Sequence, residues 1–571
     1  MKRTLGLIIA GLLYCAALSA QQPIPAAPGE DTLKVVDILN ADRFSFKKTD
    51  SVNEFQMMAG HVRLKQGTTL FTADSAVYNK SSKILEAFGN IHINDADSIH
   101  TYSQYLLYHV DTRIATLTKK VKLTDRNTQL FTEELEYDLN QKIGIYRRGG
   151  RVVSKNSVLT SREATYYADV KDVYFRQDVK LKDPAYKLAS DSLLYNTQSQ
   201  IATFITKTII EDSARRIETT DGYYDLQNKN AFFGKRPIIK DGAVTIIANE
   251  VVTDDRTGVS VLTGNAVFKD TAQGIAVLAN YIESNRNEES FFATERPLMI
   301  LKQDKDSIYV TGDTLVSGRL SKLKAAMAST QTDSLMNSDS SALMIKDTVI
   351  NLESPDAMVV KDTGSKNIKD SALVQMNKPA SDSADRYFQV FHNVRIFSDS
   401  LQAVCDSLFY DGVDSVFQLF TNPVVWASGS QVTGDTIKLF TRNKKADRML
   451  VYENGMLVNK AAEGMFNQIR GNTLNGTFRD GNIEQMRAKG NAESVYYAKD
   501  DKEKLIGVNR ASGDIIDMRF ENKELQKVVF INDVKGTMYP VRQIPETEKK
   551  LRDFNWLESK RPKSKFELMG E

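Results

Sequence analysis

Apolar and polar residues alternate along most of this chain, in short runs that recur at a fixed interval. The clearest run covers residues 73–79 (ADSAVYN), and similar runs cover 190–196 (SDSLLYN) and 405–411 (CDSLFYD). Together with weaker copies, these runs place tyrosines 29 or 30 residues apart, at Tyr78, Tyr108, Tyr137, Tyr166, Tyr195 and Tyr224. A constant interval of this size is typical of a repeat protein, in which one supersecondary unit is copied and stacked.

The alternation inside each unit has a period of two, which predicts β-strands. After the run that ends at Asn79, a polar turn leads into a second alternating run whose apolar positions are Leu85, Ala87, Ile91 and Ile93. Each repeat is therefore at least two antiparallel strands with one apolar face. No segment of the repeats has helical spacing, so the sequence predicts an all-β protein.

The repeats predict two β arrays, at residues 35–318 and 387–541. Between them, residues 319–386 are rich in Ser, Asp, Lys and Thr with few aromatic residues, a composition that favours a disordered linker because it offers little apolar surface to bury. Residues 21–34 contain three prolines and are interpreted as an extended tether, and residues 542–571 as a C-terminal tail. The role of the tail stays open between a docking peptide and a cap.

The first twenty residues have the pattern of a secretory signal peptide. A charged start, Met1-Lys2-Arg3, precedes an apolar run from Leu5 to Leu18, with small residues before a predicted cleavage site at Gln21. The large Tyr14 before Cys15 disfavours lipidation at that cysteine. The sequence therefore predicts export.

The charge balance and the rare residues exclude several functions. Lys and Arg number 75 against 73 Asp and Glu, a formal net charge of +2, so no strong field favours nucleic acid. Without the signal peptide Cys405 is the only cysteine, which leaves no intramolecular disulfide. The five histidines, which show no metal-ligand spacing, are His61, His92, His100, His109 and His392. We expect no metal and no cofactor.

Two residue types, aspartate and tyrosine, recur once per repeat and could have either a functional or a structural role. The repeated aspartates occur once per unit rather than clustering, so we interpret them as residues that set strand starts and turn hydrogen bonds, with calcium binding as the remaining alternative. They are Asp74, Asp191, Asp313, Asp406 and Asp435. The recurring tyrosines are interpreted as packing within the wall of the array, with a stacking platform for carbohydrate or acyl chains as the alternative.

The opening unit carries a family resemblance. Residues 58–69 (MAGHVRLKQGTT), followed by Ala73-Asp74-Ser75, and the Gly-Asn pairs at 89–90 and 264–265 resemble the repeating phrase of the OstA-like family. That family comprises the periplasmic lipopolysaccharide-transport proteins LptA and LptC and the N-terminal domain of LptD. The size of this chain, its linker and its second array exceed a single module of the family.

The resemblance implies a folded-over antiparallel sheet, a β-jellyroll open along one seam, whose interior shelters lipid acyl chains. It also implies a function in lipopolysaccharide transport and outer-membrane assembly in a Gram-negative envelope, with no enzymatic activity. The implied partners are lipopolysaccharide or a related glycolipid and other OstA-like components that pair through edge strands, with a possible outer-membrane association. The apolar strand positions that we expect to face the lipid are Leu85, Ile91, Ile93, Leu117, Val121, Leu123, Phe175, Val179, Leu181, Phe204, Phe233, Leu262 and Phe268.

Two other functions are compatible with the same repeats. A structural or adhesive envelope protein would have a closed seam, in which the apolar face is only a core. A β-helical polysaccharide-active enzyme is disfavoured, because no cluster of carboxylates stands outside the repeat.

Overall fold

The computed structural model describes residues 36–48, 54–66, 68–95, 99–124, 128–302, 307–333, 385–442, 445–479, 481–500, 504–521 and 524–569. The predicted signal peptide, the predicted tether and residues 334–384 of the predicted linker lie outside the described residues. The chain divides into two compact units, Met1–Asp169 and Val170–Glu571, here called unit 1 and unit 2.

Unit 1 is built from antiparallel strands in chain order, as the period-two pattern predicts. Most strands pair with the next one along the chain, through the short polar turns that separate the alternating runs. The strands are β1 (Asp37–Asn40), β2 (Arg43–Lys48), β3 (Glu54–Gln66), β4 (Thr69–Asn79), β5 (Ile84–Asp95), β6 (Ile99–His109), β7 (Ile114–Thr124), β8 (Thr128–Asp138), β9 (Ile143–Tyr146), β10 (Gly150–Ser154), β11 (Ser157–Ser161) and β12 (Glu163–Tyr167).

Each long strand of unit 1 bends at its middle, which folds the sheet over. Where β3 pairs with β4, the register shifts so that Gly60 and His61 together oppose Asp74 alone. Gly60 has φ +78° and His61 has φ +44°, and the same left-handed pair recurs at Gly89–Asn90 and Lys119–Lys120. Two residues opposing one is a β-bulge, which bends the strand and re-aims the side chains beyond it. We call these points corners.

The corners divide unit 1 into two walls. The strand halves that contain Tyr78, Tyr108, Tyr137 and Tyr166 form the tyrosine wall, and the halves beyond the corners form the opposite wall. Residues from both walls make one buried apolar cluster, including Ala87 and Leu106 of the tyrosine wall and Leu64 of the opposite wall. We call the side of the fold at the far ends of the two walls, away from the corners, the open side.

Unit 2 repeats this plan with more strands, several of which are interrupted at the corner. The strands are β13 (Asp172–Lys182), β14 (Lys187–Asn196), β15 (Ile201–Phe204), β16 (Thr208–Glu211), β17 (Arg215–Thr219), β18 (Gly222–Asp225), β19 (Asn230–Phe233), β20 (Ile238–Asp241), β21 (Val244–Ile247), β22 (Glu250–Asp254), β23 (Val259–Asp270), β24 (Ile275–Asn285), β25 (Ser290–Thr294), β26 (Leu298–Lys302), β27 (Ser307–Thr311), β28 (Thr314–Gly318), β29 (Tyr387–Phe397), β30 (Leu401–Asp411), β31 (Val416–Phe420), β32 (Val424–Ala427), β33 (Ser430–Thr433), β34 (Thr436–Arg442), β35 (Lys445–Ala462), β36 (Met465–Arg479), β37 (Asn482–Lys499), β38 (Leu505–Glu521), β39 (Glu524–Ile531) and β40 (Lys535–Tyr539). The helical elements are α1 (Leu320–Asp333), α2 (Lys565–Met569) and two 3-10 turns, Glu546–Glu548 and Glu558–Lys560.

A single row of inward-facing residues runs across the tyrosine wall of unit 2, each paired with the next through the strand register. All of its members except Gly222 and Phe530 are apolar and buried. The row is Phe175, Leu193, Phe204, Gly222, Phe233, Val251, Leu262, Ile282, Ala293, Leu315, Val390, Leu408, Leu419, Ile437, Val451, Leu474, Ala488, Ile516 and Phe530. This row is one part of the core of the unit.

The strands on either side of the predicted linker are neighbours in this sheet. β28 pairs antiparallel with β29, with Gly318 opposite Tyr387. The Arg319 guanidinium donates two hydrogen bonds to the Glu289 carboxylate, at 2.9 and 3.0 Å, and Arg386 donates to the Glu289 carbonyl oxygen. The two predicted arrays therefore meet in one ladder here. The prediction of a disordered segment from residue 319 does not hold for α1, which is helical.

After β40 the chain turns back and runs across the opposite wall of unit 2. We call residues 544–569 the strap. Its Ile544, Leu551 and Leu568 are buried. Trp556 packs with Phe466 of β36, at 5.2 Å between ring centroids. The strap therefore covers the outer face of this wall. Of the two roles that the sequence left open for the tail, this packing favours the cap over the docking peptide.

The structure confirms the predicted all-β fold of antiparallel, folded-over strands. Nothing that could span a membrane is found among the helices of the described residues.

Candidate functional site

The six predicted lipid-facing residues of unit 1 lie in one apolar cluster between the walls. Ile91, Leu117 and Val121 are buried and exposed by at most 2%. The other three, Leu85, Ile93 and Leu123, are half-buried and pack against that cluster. Since the half-buried residues stand further from the corners, they form a rim towards the open side, above a floor made by the buried ones. We call this arrangement the trough.

The predicted residues of unit 2 are more deeply enclosed. Phe175, Phe204, Phe233 and Leu262 belong to the buried row of the tyrosine wall, and Val179 lies just beyond the corner of β13 at 0% exposure. Only two of the predicted residues here are half-buried, and these are Leu181 and Phe268. The Phe268 ring lies 5.6 Å from the ring of Phe291 on the tyrosine wall, so the two walls touch at this point.

Two of the repeated tyrosines, Tyr78 and Tyr108, lie in one cross-strand row with Leu85 of the rim. Tyr78 stands opposite Leu85 in the register, Leu85 opposite Tyr108, and Tyr108 opposite Ala115. Large rings therefore alternate with smaller side chains in one cross-strand row. Burial raises the pKa of the Tyr108 hydroxyl, as expected for a phenol held among apolar side chains. The regular interval between the tyrosines in the sequence therefore corresponds to this row on the tyrosine-wall side of the trough.

Within the described residues of unit 2, three groups of bonds join the two walls across the open side. In the first, Arg215 of the opposite wall donates a 2.8 Å hydrogen bond to Asp255, which follows β22 of the tyrosine wall, and another to Asp212. The Tyr224 hydroxyl also donates to Asp255, at 3.0 Å. Burial and the neighbouring Asp255 carboxylate raise the pKa of Tyr224. We call this group the Arg215 tie.

The other two ties also join a turn of one wall to a turn of the other. Arg286 beside the tyrosine wall pairs with Asp241 of the opposite wall at 3.7 Å. Further along, the Ser428 hydroxyl donates to the Asn482 side-chain oxygen and accepts from the Ile483 N–H at 3.2 Å. The ion pairs described in unit 1 differ: at its tyrosine-wall turns, Lys83 pairs with Asp111 and Lys142 with Asp169, both within one wall.

The N-terminal edge of unit 1 is apolar and exposed. Within the described residues, β1 and β2 pair with β3 only, so each has one unpaired side. Phe44 and Phe46 are more than half exposed, and Ile38 is nearly so. A cleft of about 380 Å³ is lined by Ile38, Leu39, Asn40, Ala41 and Phe44. Exposed apolar side chains on an unpaired strand are the features that favour pairing with another strand.

The repeated aspartates have a structural role at the corners. The Asn90 side chain donates a 2.9 Å hydrogen bond to Asp74, Asn393 donates to Asp313, and Asn454 to Asp435. In the same way His392 faces Asp406 at 3.2 Å. Asp313 and Asp435 directly precede β28 and β34, in agreement with the interpreted role at strand starts, whereas Asp74 lies in the middle of β4. No group of three or more His, Cys, Asp or Glu side chains suited to a metal ion occurs in the described part of the chain.

Sequence comparisons agree with the geometry of unit 1. The sequence model of the OstA-like protein family matches residues 33–191, which confirms the resemblance for that segment. No curated protein matches the chain. Among solved structures, one similar chain is LptH from Pseudomonas aeruginosa, described as the LptA-homologous periplasmic component of the lipopolysaccharide transport device. It is 15% identical, the match covers 18% of this chain and 79% of LptH, and the TM-score is 0.17.

Proposed function

We propose that this chain is a non-enzymatic periplasmic protein of lipopolysaccharide transport and outer-membrane assembly, whose trough shelters the acyl chains of lipopolysaccharide or a related glycolipid. The observation that carries the proposal is the rim of unit 1. Leu85, Ile93 and Leu123 are half-buried above a fully buried floor, and the described ion pairs of unit 1 leave the two walls untied. The OstA-like match over residues 33–191 supports it.

The physical advantage of such a trough is the removal of acyl chains from water. Each exposed CH₂ group costs about 0.8 kcal/mol, so a lipid with several chains cannot cross an aqueous compartment alone. A row of apolar residues repeated once per strand suits a long chain laid across the strands. In this proposal Leu85, Ile93 and Leu123 touch the lipid, while the buried residues of both units hold the walls in place.

The proposed partners are other OstA-like components, which would add a strand to β1 or β2 and so lengthen the trough. Main-chain hydrogen bonds would supply affinity, and the exposed Phe44 and Phe46 would supply apolar contact. In this proposal the predicted signal peptide at residues 1–20 directs the chain to the periplasm. Association with the outer membrane would be made through an OstA-like partner.

A structural or adhesive envelope protein is the second candidate, and the ties of unit 2 favour it. With Arg215 bonded to Asp255 and Arg286 paired with Asp241, that part of the array is a closed core rather than an open groove. If unit 1 closes in the same manner in solution, the edges of the sheet and not its interior would be the functional surface.

Native mass spectrometry of the intact mature chain, purified from an envelope extract and then incubated with lipopolysaccharide, separates the two candidates. We expect a stoichiometric glycolipid adduct. The triple variant Leu85→Asp, Ile93→Asp and Leu123→Asp should lose it, because three carboxylates would face the acyl chains. Far-UV circular dichroism should still show β structure.

The matched control places three aspartates on the outer faces of the same unit, at Leu70, Thr116 and Val153. These positions are half-buried and alternate with inward-facing residues. We expect the control variant to keep the adduct. Unchanged capture by the rim variant would contradict the trough, and a native protein that remains free of lipid after incubation would favour the structural array.

A further inference from the structure

The outer face of the opposite wall in unit 1 carries a row of cationic and aromatic side chains that the trough does not involve. Successive members face each other through the strand register, with Thr72 between the first two. The row, here called the outer stripe, is Arg63, His92, Tyr102, Lys122, Phe131 and Arg151.

The neighbours of these residues show that the outer stripe faces away from the interior. Arg63 lies between the buried Val62 and Leu64, and Lys122 follows the buried Val121. Because successive strand residues point to opposite faces, the stripe side chains point outwards. Arg63, Tyr102 and Arg151 are exposed, and the other members are half-buried.

The rings and cations of the outer stripe are in mutual contact. The rings of His92 and Tyr102 stack, with 4.5 Å between centroids and an angle of 2°. The Lys122 ammonium lies 6.0 Å from the Tyr102 ring and 5.8 Å from the Phe131 ring, and the Arg151 guanidinium lies 5.8 Å from Phe131. These contacts hold the ring faces and the charges in fixed places, which lowers the entropic cost of binding a ligand.

The charges of the outer stripe are available to a ligand. None of the carboxylates that the structure describes forms an ion pair with Arg63, Lys122 or Arg151. The outer face of the tyrosine wall differs, since Glu86 and Glu136 stand among its outward residues. On the corner side of the stripe, Asp74 and Glu133 limit the positive region to a narrow band.

We propose that the outer stripe binds a linear anionic oligosaccharide. The outer stripe crosses seven neighbouring strands, from β3 to β10. Six spacings of about 4.8 Å between them make the band about 29 Å long. A straight, narrow band suits an extended polymer, whereas a flat anionic membrane would also meet the acidic corner residues. Arg and Lys pair with carboxylate or phosphate groups. The faces of the Tyr102 and Phe131 rings are covered by their neighbours in the stripe, so the rings hold the cations in place and offer their outer edges to the sugar rings. This binding does not depend on the trough.

Isothermal titration of the intact mature chain with a galacturonic acid hexamer tests the proposal, with a neutral galactose hexamer beside it. We expect measurable binding of the charged hexamer, weakening with added salt, and at least about fivefold weaker binding of the neutral one. The triple variant Arg63→Ala, Lys122→Ala and Arg151→Ala should raise Kd about tenfold. Replacing Tyr102 and Phe131 with Ala should weaken binding at unchanged net charge.

The matched control removes three exposed lysines from unit 2, in the variant Lys187→Ala, Lys207→Ala and Lys240→Ala, and should change Kd less than about twofold. Equal losses in the stripe and control variants would show attraction to net charge only and would overturn the proposal. So would absence of hexamer binding, or preferential binding to phosphatidylglycerol vesicles that the stripe substitutions abolish. Retention of hexamer binding in the rim variant separates this result from the trough.

Discussion

The outer face of the opposite wall differs between the two units, although its strands are built in the same way. In unit 1 this face carries Arg63, Lys122 and Arg151 and lies open. In the C-terminal part of unit 2, β32 is buried on both faces, with Val425 inward and Trp426 outward. A strand that is apolar on both faces needs a cover on both, and here the strap supplies the second one.

Three glutamines hold the strap to this wall, and they stand on the outward row of every second strand. Gln468 donates to the Lys549 carbonyl oxygen and accepts from the Leu551 N–H, both at 2.8 Å. Gln431 makes the same pair of bonds to Asn555 and Leu557, at 2.7 Å each, and Gln402 accepts two bonds from the Arg561 guanidinium. Side-chain amides thus satisfy strap groups that no neighbouring strand reaches.

The two faces of one repeat follow separate rules. The inward face is apolar in both units, because it forms the core. The outward face is free to be polar where water covers it, as in the outer stripe, or apolar where another segment of the chain covers it. The open side shows the same contrast, since unit 2 has the Arg215 tie and the described ion pairs of unit 1 stay within one wall.

Removing the strap should produce the largest change. A chain that ends after Tyr539 exposes the outward apolar residues of unit 2, and we expect a loss on the order of 5 kcal/mol in the free energy of unfolding, with new binding of a hydrophobic dye. Cys405 should stay unreactive towards thiol reagents, because it is buried inside the sheet, where burial raises its pKa to about 12. The control Phe566→Ser, at an exposed strap position, should change neither the free energy of unfolding nor the binding of the dye. Rapid labelling of Cys405 would show that the strap supports the inner core as well.

A single glutamine should have a smaller effect. Gln468→Ala leaves the Lys549 carbonyl and the Leu551 N–H without their partner, and we expect a loss of about 2 kcal/mol with faster amide hydrogen exchange in the strap. Gln129 is exposed on the same outer face in unit 1, so Gln129→Ala should cost less than about 0.5 kcal/mol. Equal costs for the two substitutions would mean that the strap is held by apolar contact alone.

The smallest expected effect concerns the acid stability of the Arg215 tie. Burial by itself would raise the pKa of Asp212, but hydrogen bonds from the Arg215 and Ala214 N–H groups and from the Arg215 side chain outweigh it, so the pKa lies below the ordinary 3.8. The folded pKa is therefore lower than the unfolded one. The stability that Asp212 contributes is present above about pH 4 and is lost as the pH falls through the folded pKa.

Unfolding by urea at pH 6 and at pH 3 measures this contribution. The native chain should lose more stability between these two values than the variant Asp212→Asn, which cannot titrate at this position. Parallel curves for the two proteins would show that the Asp212 carboxylate contributes nothing to the stability of the Arg215 tie.

The fold could be predicted from the sequence, because the alternation of apolar and polar residues and the regular spacing of the repeats can be read from short stretches of the chain. The run 73–79 and its copies predicted strands, and the burial of Ile91 and Leu117 agrees with the predicted apolar face. The corners were harder to predict, because a bulge reverses which residues face inwards within one strand: in β4 both Ala73 and Ala76 are buried, on either side of Asp74.

The strap and the ties could not be predicted from the repeat, since they depend on contacts between distant residues. Gln468 and Leu551 are 83 residues apart, and Arg215 and Asp255 are 40 apart. Nothing in the sequence around Gln468 distinguishes a buried clamp from an exposed polar position. A weak signal did exist in the strands themselves: residues 424–426 (VVW) are apolar without alternation, which indicates a strand covered on both faces.

The direction of the strap has a consequence for the order in which the protein matures. Residues 544–569 are synthesised after every strand that they cover, and they run back from β38 towards β27. During translation the outward apolar face of β32 to β37 is therefore complete while its cover has yet to emerge. In that interval the wall exposes apolar surface that favours aggregation, whereas the same face of unit 1 carries the charged residues of the outer stripe and waits for no cover.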